Sequence, residues 1–293
     1  MKPIHILLAV LIAAIWGFNF VVIRFGLDNF PPLLFSALRF AAASIPFILF
    51  YRNPGIKWRW VLGIGFALGI AKFSLLFIGM DMGMPPGLSS LVLQTQVFFT
   101  VILAAMLIGE RPNRNQIIGM FLSFSGIAVL ASHMQSGGNL FAFSLVILAA
   151  VFWGVSNIMM KHSKPENMVA MIVWISLVPP LPLLGLSWVF EGPELITHAI
   201  NSLNTTGLLS IFYIAIISTV IGFGAWGFLL KHYTASQVTP FALLVPIFGI
   251  SSSALVFGET LAPVQIIGSL IVGLGLIINL WRMPSDKAIQ QTA

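Results

Sequence analysis

Cysteine is absent from the 293 residues. Its absence excludes disulfide frameworks, Cys-ligated zinc, thiolate-bound iron–sulfur clusters and thiol nucleophiles, and leaves the redox compartment open. Charge is nearly as scarce. The chain has 8 Asp+Glu and 14 Lys+Arg, 8% of its residues, where a soluble domain carries about a quarter. A soluble protein of this size could not wet its surface with so few. What is abundant instead is apolar side chain, at 58%, and the chain reads as an integral membrane protein. The formal net charge of +6 does not point to nucleic acid, because the Lys and Arg residues stand one to three at a time between apolar runs. Orientation in a bilayer explains them better.

A bilayer crossing takes about 20 mostly apolar residues. Ten such runs are present, at 4–23, 32–50, 58–79, 87–108, 116–131, 140–160, 168–189, 207–230, 237–257 and 264–281. The runs are apolar all round, whereas barrel strands would alternate apolar and polar positions, so the predicted fold class is an all-α integral membrane protein of ten transmembrane helices. Pro31-Pro32, Asn53-Pro54-Gly55, Met84-Pro85-Pro86-Gly87, Arg111-Pro112-Asn113, Ser163-Lys164-Pro165 and Gly192-Pro193 each fall between two runs. The first run outlasts a signal-peptide core and lacks a convincing cleavage site, so it counts as a span. Counting Lys and Arg in alternate connections places eleven of fourteen on the side of the N-terminus, from Lys2 through Arg52, Lys57 and Arg59 to Arg282 and Lys287. Arg24 alone lies opposite, and Arg39 and Lys72 lie within spans. Both termini are therefore expected to be cytoplasmic.

The chain also repeats itself. Residues 109–119 read GERPNRNQIIG and residues 258–268 read GETLAPVQIIG, an offset of 149. Ile15-Trp16-Gly17-Phe18-Asn19 near the start of one half matches Phe152-Trp153-Gly154-Val155-Ser156-Asn157 in the other. With five spans per copy, the second copy must enter from the opposite side. The predicted architecture is two inverted five-helix repeats, residues 1–133 and 139–285, divided at the polar stretch 132–139.

These residues resemble a known family. The five-plus-five arrangement, the early Trp16-Gly17-Phe18-Asn19-Phe20, the Met84-Pro85-Pro86-Gly87-Leu88-Ser89-Ser90-Leu91 entry to the fourth span and the two Gly-Glu pairs look like the EamA branch of the drug/metabolite transporter superfamily, over essentially the whole chain. Pro31-Pro32-Leu33, Leu38-Arg39-Phe40 and Ser90-Leu91-Val92-Leu93-Gln94 are similar to those of bacterial exporters of cysteine-pathway metabolites. The resemblance implies amino-acid efflux across an inner membrane.

Several residues are candidates for the substrate site. Lys72 lies fourteen residues into the 58–79 run, and a charge at mid-bilayer costs at least about 2.5 to 3.5 kcal/mol without a wet cavity or partner. It reads first as cavity-facing, able to meet a carboxylate. Arg39 lies nearer an interface and reads first as an internal tether. Trp16 and Asn19 share one helical face, as do Trp153 and Asn157, with Ser156 beside them. A Trp floor with an amide next to it suits a zwitterion with an apolar side chain. Helix packing through Gly17 and Gly154, with the amides as interhelical bonds, fits the same spacing equally well. Gln94 and Gln96 form a polar patch whose counterparts, Leu243 and Val245, are apolar. They stand about 200° apart on a regular helix, so one is expected to face the cavity and the other to serve as a packing bond. Pro246, inside the ninth run, frees a backbone carbonyl and is a candidate hinge or gate. Glu110 and Glu259 read as helix-end caps more readily than as proton carriers. Gly222-Phe223-Gly224-Ala225-Trp226-Gly227 matches a dinucleotide fingerprint only formally, with no strand before it, and Asn204-Thr205-Thr206 is a short, common glycosylation pattern.

Three classes of function follow. A channel needs a repeated filter or a ring of subunits, and no filter string is present. An enzyme needs a nucleophile, metal ligands or paired acids at depth, yet the five His residues lie near span ends and no acid is mid-span. A carrier of small metabolites is expected, most directly of zwitterionic amino acids, with other small organic compounds or drugs as the alternative cargo. No cofactor, metal or nucleic-acid partner is expected. The chain should work in the lipid bilayer as a monomer or weak dimer.

Overall fold

The computed structural model describes residues 1–109, 112–137, 139–233 and 238–280. Among these, every regular element is helical. The elements are α1 Pro3–Leu27, α2 Pro32–Ser44, α3 Trp58–Ile64, α4 Phe73–Asp81, α5 Pro86–Leu93, α6 Gln96–Ile108, α7 Arg114–Gly137, α8 Leu140–Ser163, α9 Met168–Ser176, α10 Pro180–Phe190, α11 Gly192–Asn201, α12 Thr205–Phe212, α13 Gly222–His232, α14 Leu244–Phe257 and α15 Pro263–Leu280. The turn residues act as local chemistry dictates. Pro3, Pro32, Pro86 and Pro180 begin helices with no N–H to leave unpaired. The side chains of Asn139, Asn167 and Asn204 cap α8, α9 and α12 by accepting the N–H of Ala142, Ala170 and Gly207. The glycine of each Gly-Glu pair ends a helix in the left-handed region, Gly109 at φ 74° and Gly258 at φ 66°.

Seven continuous helical stretches among the described residues are long and apolar enough to cross a membrane, and three shorter apolar helices, Pro32–Ser44, Phe241–Phe257 and Pro263–Asn279, accompany them. Each predicted run therefore contains helix, but three fall short of their predicted lengths. The second stops at Ser44, ahead of Pro46, which lacks the N–H a helix would need there. Residue 237, the start of the ninth run, and residue 281, the end of the tenth, lie outside the described residues, as does Glu110.

Backbone irregularities recur at matched positions. A π-helical segment Gly65–Lys72 joins α3 to α4, and another, Tyr213–Ile221, joins α12 to α13. The helix is interrupted at Gln94 and Thr95, and again where a 3₁₀ turn Thr239–Leu243 passes into α14. Side-by-side contacts match too. A Cβ on Gly17 would stand 2.5 Å from Phe248 Cβ and 2.8 Å from Gly249 N; one on Gly154 would meet Phe99 Cβ and Thr100 N, each at 3.1 Å. Phe99 and Thr100 are 149 residues before Phe248 and Gly249. Helices α7 and α15 cross with Gly119 against the Gly275 carbonyl, 2.6 Å from a Cβ at 119, and Gly126 against that of Gly268, at 2.8 Å. Ser123 Oγ donates to the Val272 carbonyl at their midpoint, 3.1 Å. These six positions are three pairs offset by 149, so the two helices run in opposite directions about a point near Ser123.

The connections gather at two ends. At one end the Tyr233 hydroxyl receives the Lys2 N–H, Trp174 Nε1 donates to the Tyr51 carbonyl, and Trp60 stacks on His162. At the other, Glu191 accepts the N–H groups of Leu33 at 2.6 Å and Leu34 at 3.1 Å, Asn139 donates to the Met82 carbonyl, and Glu259 accepts the Gly87 N–H at 3.4 Å. Glu191 and Glu259 thus place carboxylates on the positive ends of α2 and α5.

Candidate functional site

Between the two sets of matched helices lies a cavity of about 470 Å³, within the range of small-molecule sites. Trp16, Asn19 and Lys72 line it in the middle of their helical stretches, and Met160 and Met168 line it close to the end of α8 and the start of α9. That is the Lys- and Arg-rich end. Toward the opposite, acidic end the way is filled by buried Phe30, Phe35, Phe77, Met80, Met84 and Leu88.

Two cationic side chains reach the cavity wall. Lys72 ends the first π-helical segment, which widens the turn and carries it inward; it is 4% exposed, with Nζ 3.3 Å from the centre of the Phe73 ring and 4.5 Å from that of Trp153. Arg39 on α2 is 2% exposed, with its guanidinium carbon 3.7 Å from the same Phe73 ring. Its Nη2 donates to Thr219 Oγ1 at 3.0 Å, while Nε and Nη1 have no partner. The bond to Thr219 is the tether expected of Arg39, but Arg39 also borders the cavity, which the sequence reading did not include. Among the described lining residues none is Asp or Glu. Among the described residues, aromatic faces offset both charges, worth about 2 kcal/mol each when desolvated, and Thr219 Oγ1 adds one acceptor for Arg39.

The aromatic wall is built from both halves. Trp16 packs on Phe223 and Trp226 with ring centres 5.1 and 5.2 Å apart, and its Nε1 donates to the Ser218 carbonyl at 2.9 Å. Trp153 lines the cavity from α8. The two amides, which looked alike in sequence, differ here. Asn157 Nδ2 donates to Gln96 Oε1 at 2.6 Å and Thr100 Oγ1 at 3.1 Å, an interhelical bond between α8 and α6. Asn19 is 7% exposed and its Oδ1 has no donor. Gly17 and Gly154 permit close helix packing, and all four side chains also line the cavity.

Gln94 and Gln96 both line it as well, against the expectation that one would turn away. At Gln94-Thr95 the helix tightens, with the N–H groups of Gln94 and Thr95 donating to the Leu91 and Val92 carbonyls three residues back, so the regular step of about 100° does not hold there. Gln94 Nε2 donates to the Ala242 carbonyl at 2.9 Å. That carbonyl is four residues before Pro246, which has no N–H to give it, and the Leu244 N–H is directed to it as well. Pro246 itself is buried in the first turn of α14 and does not line the cavity. Nor does Ser156, which is fully buried and donates back to the Trp153 carbonyl at 2.7 Å. Phe73, Phe223 and Trp226 are lining residues that sequence reasoning passed over. Aromatic residues are common in such spans, and only the packing of one helix on another tells a wall from a lipid-facing surface.

The EamA-like transporter family model matches this sequence twice, over residues 3–132 and 140–281. The chain belongs to the EamA-like transporter family. Two relatives of this transporter are each described as a "probable amino-acid metabolite efflux pump". That of Escherichia coli K12 is 37% identical, covering 97% of each chain, and that of Salmonella typhimurium LT2 is 39% identical, covering 94% of each. A "probable terminal-alkyne amino-acid exporter" of Streptantibioticus cattleyicolor is 26% identical over 92% of this chain and 91% of that one. A crystal structure of a further protein shares the fold at TM-score 0.64 and 17% identity, over 95% of this chain and 98% of that one. With its family and its apolar helices together, this EamA-like transporter is a multi-pass membrane protein.

Proposed function

We propose that this transporter exports small amino-acid-type metabolites across a bacterial inner membrane by alternating access. In this reading ten helices cross the bilayer as two inverted five-helix repeats, residues 1–133 and 139–285, with both termini cytoplasmic and the cavity open to the cytoplasm. One observation carries it: a cavity at mid-helix depth, between the matched halves, where Lys72 and Arg39 stand without an acid beside aromatic walls. Lys72 and Arg39 would hold the substrate's carboxylate, Trp16 and Trp153 its apolar body, and Asn19 a donor group; Gln94, Gln96 and Asn157 would hold the halves in register. Opening to the other side would require the phenylalanine plug and the Glu191 and Glu259 caps to part, with the turn before Pro246, which gives no N–H to the Ala242 carbonyl, as the place where α14 can bend. The relatives' names and the match in length support an amino-acid-type cargo. Transport, not catalysis, accounts for each of these features.

The test is efflux from liposomes that contain the purified protein and are preloaded with labelled amino acids and their derivatives. Protein-dependent loss of label is expected. Flux equal to that of protein-free vesicles for every compound would overturn the reading.

A further inference from the structure

The cavity's unmet bonding capacity is specific. On the donor side stand Lys72 Nζ, packed on Phe73 and Trp153, and the Nε and Nη1 atoms of Arg39, which have no acceptor. On the acceptor side stands Asn19 Oδ1, buried and without a donor. Gln96 Oε1 already receives Asn157 Nδ2, and the amides of Gln94 and Asn157, whose nitrogens donate to the Ala242 carbonyl and to Gln96, line the same cavity. A small void of about 20 Å³ is bordered by both Arg39 and Lys72, along with Phe73, Trp153 and Thr219. That is room for an atom or two. The carboxylates that could have balanced these cations are engaged elsewhere: Glu191 and Glu259 on helix N-termini, and Asp28 with Arg24 at 3.1 Å.

A matching ligand has a charged double acceptor for the two cations, one neutral donor for Asn19, and an apolar body for the tryptophans. A free amino acid has the first and third of these. Its ammonium, however, would sit two bonds from the carboxylate carbon, close to two like charges, with neutral amide oxygens and no carboxylate to receive it in a low-dielectric wall. Resting on the carrier reading above, we infer that the cavity selects net-anionic carboxylates, namely amino-acid derivatives whose nitrogen is acylated or otherwise uncharged, over free zwitterions. Arg39 is then a second specificity-determining residue beside Lys72, and Asn19 receives the acyl amide N–H. The zwitterion that the paired Trp and Asn faces suggest in sequence lacks a counter-charge here.

Four probes on one skeleton separate the terms: phenylalanine, N-acetylphenylalanine, phenylalaninamide and N-acetylphenylalaninamide. Their affinities for the purified full chain are measured by calorimetry, and their transport by counterflow in liposomes. N-acetylphenylalanine should bind at least about tenfold more tightly than phenylalanine or the neutral diamide, and the cationic amide should not bind measurably. Lys72→Met and Arg39→Met should each remove most of that preference, so that N-acetylphenylalanine and the neutral diamide bind the variant within about twofold of each other. Because Arg39 is buried, Arg39→Lys serves as a second variant: it keeps the charge and should keep the preference for the anion. Phenylalanine binding as tightly as its N-acetyl form would overturn the inference, and so would failure of all four probes to bind. If labelled amino acids still leave preloaded vesicles in either case, the carrier reading survives. If neither free amino acids nor acylated ones leave, both fall.

Discussion

In the first half of the chain a π-helical segment ends on Lys72; in the second, the segment at the matching place ends on Ile221, 149 residues on. Lys72 is 4% exposed and points at the cavity, whereas Ile221 is 49% exposed on the outer surface of the bundle. The same contrast appears at the helix breaks. Gln94 and Gln96 stand in one half where Leu243 and Val245 stand in the other. At these two places the backbone device is duplicated and the polar side chain is not. The reason is geometric. Both halves need a widened turn and a helix break in order to pack on each other, but they share one cavity, so charge placed once serves both. A lysine at 221 would face lipid at a cost of about 2.5 to 3.5 kcal/mol.

The largest expected effect comes from breaking what the halves share. Gly119→Leu forces a side chain into the Gly275 backbone at the α7–α15 crossing and should cost about 3 kcal/mol or more, measured as lost thermostability of the detergent-solubilised protein. Gly273→Leu on the same helix has nothing within 4 Å of its Cβ and should leave the melting temperature unchanged. A similar melting temperature for both would mean that the seam is loosely packed.

Next come the two tryptophans, which the halves do contribute equally. Trp16→Ala and Trp153→Ala should each slow efflux about tenfold or more at unchanged expression, by removing an aromatic face from the substrate. Trp153→Ala also uncovers Lys72 and should shift substrate preference, whereas Trp16→Ala should not. Unimpaired efflux from both variants would put the site elsewhere.

A smaller effect joins the unequal pair, Gln94 and Pro246. Gln94→Leu removes the side-chain donor from the Ala242 carbonyl and should cost about 1 kcal/mol. Pro246→Ala returns an N–H to that carbonyl, so in its background Gln94→Leu should cost less than half as much. Additive melting shifts would show that the two residues do not share the carbonyl.

The smallest effect concerns the two caps. Glu191→Gln weakens a two-oxygen cap on α2 and should cost about 1 kcal/mol. Glu259→Gln, with one long contact to Gly87, should cost less, and a reversed order in thermal shift would mean that the caps carry unequal roles not visible in their geometry.

Much of this protein was legible along the chain. The run lengths, the turn residues and the 149-residue offset are local or additive properties, because the bilayer requires each span to satisfy its own backbone and its own apolar demand. Lys72 stood out for the same reason: no local neighbour could account for a charge at that depth. What only the tertiary structure decided was how polar groups are shared between distant segments. Asn19 and Asn157 look equivalent in sequence, yet only Asn157 finds Gln96 across a helix interface. Gln94 and Gln96 both line one cavity, with the helix tightened between them, and Gln94 reaches the Ala242 carbonyl, four residues before a proline that lies 152 residues from Gln94. Arg39 came to the same ring as Lys72 because α2 and the π-helical segment converge on Phe73. A hydrogen bond or a ring contact depends on an approach of a few ångströms between residues far apart in the chain, and it is the packing of helices that sets such approaches.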